Sequence, residues 1–82
     1  MNIERIQLKG QLAEAKSTFK RLDTEAAGLI ILIRSLLNPY EDDITKLEID
    51  KALVSINRLQ TLVDELRNLK NKIAKLEDYF DN

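Results

Sequence analysis

The sequence contains no cysteine, no histidine and no tryptophan, and it has one proline and two glycines in 82 residues. Without cysteine the chain can form neither a disulfide nor a thiolate metal site. Without histidine it lacks the commonest general base and the commonest metal ligand. Because a chain this short buries little surface by itself, we expect its stability to come from regular helix packing or from a partner.

The residues that could carry catalysis stand in the wrong surroundings. Ser17, Ser35 and Ser55 fall in helical stretches without a base or an oxyanion loop nearby. The two isolated glycines form no phosphate-binding motif. The sequence therefore predicts a protein that is not an enzyme, with no catalytic residue, no cofactor and no evident small-molecule substrate.

The run of acids from 41 to 43, Glu41-Asp42-Asp43, is the most conspicuous polar feature. Carboxylates are the ligands that Ca²⁺ and Mg²⁺ prefer. The spacing does not match an EF-hand loop, which needs alternating ligands, a central glycine and a distal glutamate. We interpret the run as a solvated turn that supplies caps and favourable charge to a helix start, and we predict no metal site.

Charge and hydropathy bear on where the protein resides. The net charge is −1, which favours neither nucleic acid nor an anionic membrane surface. The longest apolar run covers residues 28–33. Even when it is extended to Leu37, it is far shorter than the roughly 20 residues of a membrane-spanning helix. The first five residues lack the layout of a signal peptide. The sequence predicts a soluble, cytoplasmic protein with no membrane partner.

The composition, 44% hydrophobic and 33% charged, is typical of long helices. In the first half, apolar or small residues recur at alternating steps of three and four, the spacing of a stripe that faces a partner helix. We call such a stripe a seam. In this half the seam comprises Leu8, Leu12, Ala15, Phe19, Leu22, Ala26, Leu29, Ile33 and Leu36. Asn38-Pro39 ends the pattern, because proline has no amide donor and disfavours helix in the residue before it. We predict a helix from about residue 3 to 37.

A second seam follows in the other half, and Ala52, Ile56 and Val63 widen it. Its members are Leu59, Leu62, Leu66, Leu69, Ile73, Leu76 and Phe80. Asp50 is the predicted N-cap, with Ile49 and Val54 as a hydrophobic staple, and Thr45 is assigned to a short turn before it. We predict a connector over 38–50 and a helix from about 51 to 79.

Two helices of similar length and a short connector predict an all-α antiparallel hairpin, coiled-coil-like, as a single domain over 1–82. The end that carries the connector is the closed end, and the other is the open end. The stretch 29–33 is apolar nearly all round and must be covered on every side. We expect the connector to cover one side of it and Leu53, Val54 and Ile56 another, which would make the closed end the best-packed part of the molecule.

One hairpin buries only one face of each helix, and it would leave Ile30, Ile31, Leu37 and Val63 exposed to solvent. Two hairpins packed with twofold symmetry as a four-helix bundle would cover them. We therefore predict a homodimer that acts as a non-enzymatic protein–protein interaction or assembly module. A three-helix monomer broken near Gly28 and a complex with another protein are the alternatives. The seam residues expected at the heart of the association are Leu29, Ile33, Leu36, Leu62, Leu66 and Leu69.

Basic residues near the open end suggest a second function, a nucleic-acid-associated accessory protein, because lysine and arginine supply most non-specific affinity for phosphate. On the first helix these residues are Arg5, Lys9, Lys16, Lys20 and Arg21. Acidic residues are interspersed with them, and no aromatic platform or recognition-helix signature accompanies them. The pattern favours ordinary solvated helix faces over a nucleic-acid patch.

The opening stretch 1–10 and the stretch 28–38 resemble small helical proteins encoded by Mu-like transposable phages and prophages. The acidic connector that ends in Leu47-Glu48-Ile49-Asp50 is similar too, as are the stretches 62–66 and 73–77. The resemblance spans most of the chain. It implies a bacterial cytoplasmic setting and a small accessory phage protein, and it transfers no catalytic or binding residue.

Overall fold

A computed structural model describes residues 3–81 of the chain. Helix α1 spans Ile3–Leu36 and helix α2 spans Ile49–Asp81, with a short 3₁₀ helix at Ile44–Lys46 between them. The two long helices pack against each other as an antiparallel hairpin of 66 × 17 × 14 Å. The predicted all-α hairpin is confirmed. The three-helix alternative is wrong, because α1 continues through Gly28 without a break.

The first helix ends where the proline signal indicated. The Leu37 amide donates the last helical hydrogen bond to the Ile33 carbonyl, at 2.9 Å. Asn38 then accepts, through its side-chain oxygen Oδ1, a hydrogen bond of 3.0 Å from the Tyr40 amide. Such a side-chain turn replaces the helical bond that Pro39 cannot continue.

The second helix begins two residues earlier than predicted, and Asp50 is not its N-cap. The Glu48 carbonyl accepts the first helical bond, from the Ala52 amide at 3.1 Å, so Asp50 lies inside the first turn. There its negative charge still favours the positive end of the helix dipole. Ile49 belongs to the helix and is exposed, as is Val54, so the predicted staple does not form a buried pair. The helix also extends past Tyr79 to Asp81.

The connector is organised by its own side chains. Asp43 caps the 3₁₀ helix, because its Oδ1 accepts hydrogen bonds from the Thr45 amide at 3.1 Å and the Thr45 hydroxyl at 2.6 Å. Glu41 accepts one from the Asp43 amide at 3.2 Å. Thr45 thus occupies the short turn that the sequence assigned to it.

The core lies in the middle of the hairpin. Leu22, Ala26 and Leu62 form its buried centre, and Leu62 has no exposed surface. The half-buried residues around this centre are Leu29, Leu59, Leu66 and Leu69. Large side chains from both helices therefore fill the central seam around one small residue, Ala26.

Two ion pairs between the helices mark their register. Arg58 Nη2 lies 2.8 Å from Glu25 Oε2, and Lys16 Nζ lies 3.8 Å from Glu77 Oε1. In this register, small residues at the contact between the helices lie opposite large ones. The opposed pairs are Ala15 with Ile73, Ala26 with Leu62, Leu36 with Ala52, and Ile33 with Ser55.

The prediction that the closed end is the best-packed region is wrong. Ile31 and Val54 are each 70% exposed, and Leu53 and Ile56 are exposed as well. The connector does not fold back over the end of α1, since Tyr40 and Ile44 themselves extend into solvent. The physical reason is that two helices bury only the faces they share, whereas the apolar residues of this end encircle both helices.

Candidate association surface

The structure places the predicted seam residues between the two helices. Every one of them is buried or half-buried. On α1 these are Leu8, Leu12, Phe19, Leu22, Leu29, Ile33 and Leu36, and on α2 they are Leu59, Leu62, Leu66, Leu69, Ile73 and Leu76. The seams therefore hold the hairpin together, and residues beside them must provide any surface for a further partner.

Each side of the seam forms a flank along the hairpin, and an ion pair identifies each flank. Lys16 and Glu77 lie on one flank, and Glu25 and Arg58 lie on the other. Steps of seven residues along each helix stay on the same flank, because seven residues make two turns of a packed helix. The residues of both flanks can thus be read from the two ion pairs.

Steps from Lys16 and Glu77 toward the closed end define the first flank, which we call the Ile30–Val63 flank. Its opposed pairs are, in order, Lys16 with Glu77, Asp23 with Lys70, Ile30 with Val63, and Leu37 with Ile56, and Ile49 continues it. The flank is charged in the open half and apolar in the closed half.

The apolar part of this flank is accessible. Ile30 and Ile49 are about half exposed, at 47% and 48%, and Leu37 and Ile56 are each 39% exposed. Val63 is half-buried. None of these five residues belongs to the predicted seams, although Ile56 and Val63 were recognised as widening one. Their common flank follows only from the register of the two helices.

The second flank, the Glu25–Arg58 flank, is polar over most of its length. Its opposed pairs are Gln11 with Lys72, Thr18 with Glu65, Glu25 with Arg58, and Leu32 with Lys51. Leu32 is its one large aliphatic residue among these pairs, and Arg58 also donates a hydrogen bond from Nε to Glu25 Oε2 at 3.0 Å. This flank has the character of an ordinary solvated surface.

Four of the predicted basic residues, Arg5, Lys9, Lys16 and Lys20, share one side of α1, because they are spaced by four or seven residues. Arg5 stacks its guanidinium 5.0 Å from the centre of the Phe80 ring, and Lys16 pairs with Glu77. Lys9 shares the flank of Lys16, whereas Lys20 and Arg21 lie at successive outward positions of α1. Phe80 in turn packs edge-on against Tyr79, at 5.1 Å between ring centres.

The acidic connector has a structural role in the hairpin, since Glu41 and Asp43 accept hydrogen bonds from the connector itself. Within residues 3–81, no group of three or more acidic side chains is placed to hold a metal ion. Depressions on the described surface are open grooves, such as the one lined by Leu32, Leu36, Val54 and Ser55 at the closed end.

Comparisons with protein-family models, with curated proteins and with solved structures return no match for this chain. Among the described residues, neither long helix has an apolar stretch long enough to cross a bilayer. The packing of α1 against α2 defines the class of protein, an all-α helical hairpin.

Proposed function

We propose that this protein is a non-enzymatic assembly module that works by associating with a second copy of itself into a four-helix bundle. One observation carries the proposal. Thirteen large hydrophobic residues within 3–81 are exposed on the single hairpin, whereas only Leu22, Leu62 and Leu76 are buried among the large aliphatic ones. A protein that acted alone would leave these thirteen side chains exposed to water.

The distribution of this exposed surface adds to the argument. Soluble monomers rarely expose apolar patches larger than about 300–600 Å². Most of the exposed residues gather at the closed end, from Ile30 to Leu37, through Tyr40 and Ile44, and on to Ile56. Scattered singly they would need no explanation. Concentrated at one end, they have the character of an interface.

The resemblance to small helical proteins of Mu-like transposable phages and prophages supports a setting for this activity. We propose a phage- or prophage-encoded accessory protein in the bacterial cytoplasm. In that role the hairpin would act by bringing protein chains together, and the helices would contribute surface rather than chemistry.

The mass of the purified protein in solution tests the association. Sedimentation equilibrium or light scattering at micromolar concentrations should give about 19 kDa, which is twice the 9.5 kDa of one chain, as expected for a closed twofold dimer. The mass should fall toward one chain on dilution, while helicity falls with it if the single hairpin is marginally stable.

A fully helical protein of 9.5 kDa that stays monomeric at high micromolar concentration would contradict the proposal. The mass of a larger closed oligomer would support self-association, but with a different number of copies. Retention on DNA at low salt that weakens steeply as salt is raised would instead favour a nucleic-acid-associated function.

A further inference from the structure

We infer that the second copy covers the Ile30–Val63 flank along its full length, with the twofold axis parallel to the hairpin so that the two closed ends lie side by side. This inference rests on the proposed function and specifies its surface and geometry. The observation that supports it is that this one flank is apolar in its closed half and carries opposed pairs of opposite charge in its open half.

The choice of flank follows from chemistry. Burying Ile30, Leu37 and Ile56 removes aliphatic surface from water, which is favourable in proportion to the area covered. Both flanks carry one ion pair between the helices, Lys16 with Glu77 or Glu25 with Arg58, and covering either pair costs free energy unless new partners replace the water. Among its opposed pairs the Glu25–Arg58 flank offers only Leu32 as large aliphatic surface in return. A second copy therefore gains more by covering the Ile30–Val63 flank.

The choice of axis follows from the order of residues on that flank. A twofold axis parallel to the hairpin sets α1 of one copy beside α2 of the other at the same level. Ile30 then meets Val63 of the second copy, and Leu37 meets Ile56. In the open half Asp23 meets Lys70, and neither of these residues forms an ion pair within the described hairpin.

The other twofold arrangement turns one hairpin end for end. Full overlap would then set the apolar closed half against charged Lys16 and Glu77, which is the mismatch that interfaces avoid. Overlap of the two closed halves alone would match apolar residues, but it would leave the charged halves uncovered and use only part of the flank.

The area favours full overlap. Helix α1 has 34 residues, which at about 1.5 Å each gives a rod of about 50 Å. Together with the 17 Å width of the hairpin, the face amounts to roughly 850 Å², close to the roughly 800 Å² that each partner contributes to a standard interface. The closed half alone would supply about half of that.

Distances between single spin labels test the geometry, and the absence of native cysteine lets each label be placed alone. Asp42→Cys marks the exposed connector, and Gln7→Cys marks an exposed position of α1 near the open end. Pulsed dipolar measurements should give short distances at both sites, about 20–35 Å, since helices of a bundle lie about 8–10 Å apart.

The alternatives each make one distance long. Full overlap with the hairpins turned end for end separates the Asp42 labels by nearly the length of the molecule, 66 Å. Overlap of the closed halves alone separates the Gln7 labels by about 80 Å, at about 1.5 Å per residue. Either long distance in a dimer overturns the inferred geometry and leaves self-association standing.

A matched pair of substitutions tests the flank itself. Ile56→Asp and Val54→Asp place the same charge two residues apart on α2, and Val54 is the more exposed in the hairpin, at 70% against 39%. Ile56→Asp should weaken the dimer at least about a hundredfold, because both copies would bury an unpaired carboxylate. Val54→Asp should leave the dissociation constant within about threefold.

Circular dichroism at high protein concentration shows whether each variant still folds. Equal weakening by both substitutions, or weakening by Val54→Asp alone, would overturn the assigned flank. A wild-type chain that is monomeric would overturn the proposed function and this inference together, so the two failures are distinguishable by mass alone.

Discussion

The middle of the hairpin and its closed end are both rich in large aliphatic residues. Those in the middle are buried, whereas many at the closed end are exposed to solvent. Around Leu62 the apolar residues of each helix share one face, and the two faces cover each other. Around Ile31 they encircle the helix, and the neighbouring helix covers only one side. The periodicity of hydrophobic residues therefore distinguishes surface that the hairpin buries by itself from surface that the single hairpin leaves exposed.

The largest test of this difference removes side-chain volume in each region. Leu62→Ala should lower the free energy of unfolding by about 2–5 kcal/mol, because the change leaves a cavity in a fully buried site. Val54→Ala, at a site that the hairpin and the inferred dimer both leave open, should change it by less than about 0.5 kcal/mol. Urea unfolding at a fixed protein concentration measures both. Similar losses in the two variants would show that the closed end is covered after all.

A smaller test uses the two glycines, one in each half. A methyl group added at Gly10 or at Gly28 would meet no atom within 4 Å. Each Gly→Ala change should therefore stabilise its helix by about 0.5–1 kcal/mol, mainly because alanine loses less backbone entropy on folding. Thermal unfolding at matched concentrations measures the gain. A gain at Gly10 together with a loss at Gly28 would indicate that another chain approaches α1 closely at the closed half.

The smallest expected effect concerns the charged half of the Ile30–Val63 flank. Lys16→Glu sets two acids together at the Lys16–Glu77 position and should weaken the dimer severalfold, since exposed ion pairs contribute only about 0.2–1 kcal/mol each. Adding Glu77→Lys restores opposite charges and should recover the wild-type dissociation constant. Concentration-dependent sedimentation follows both variants. A double variant that remains as weak as Lys16→Glu would exclude charge matching as the cause.

Much of the fold could be predicted from the sequence because its signals are local. Asn38-Pro39 ends α1 through the chemistry of a single residue. The three-four alternation places both seams, since helical spacing alone decides which residues share a face. The start of α2 was misjudged, because Asp50 has the typical cap chemistry while the Glu48 carbonyl makes the first helical bond. Cap preference is worth about 1 kcal/mol and yields to other contacts.

The candidate surface was harder to predict because it depends on two helices at once. Ile30 and Val63 are 33 positions apart in the sequence, and each lies beside the seam of a different helix. Only the register marked by Lys16 with Glu77 sets them on one flank. The prediction for the closed end was wrong for a related reason: an apolar stretch does not show by itself whether the neighbouring helix of the same chain covers it.

The alternation of small and large side chains across the seam has a consequence for how the chain folds. Sliding one helix by a single heptad, in the direction that brings Ser55 instead of Leu62 opposite Ala26, would open a void between the helices. Voids in a packed interior are penalised in proportion to their volume, so the shifted hairpin is a poor competitor of the native one. The small residues of the two helices thus favour the native register over this shifted one.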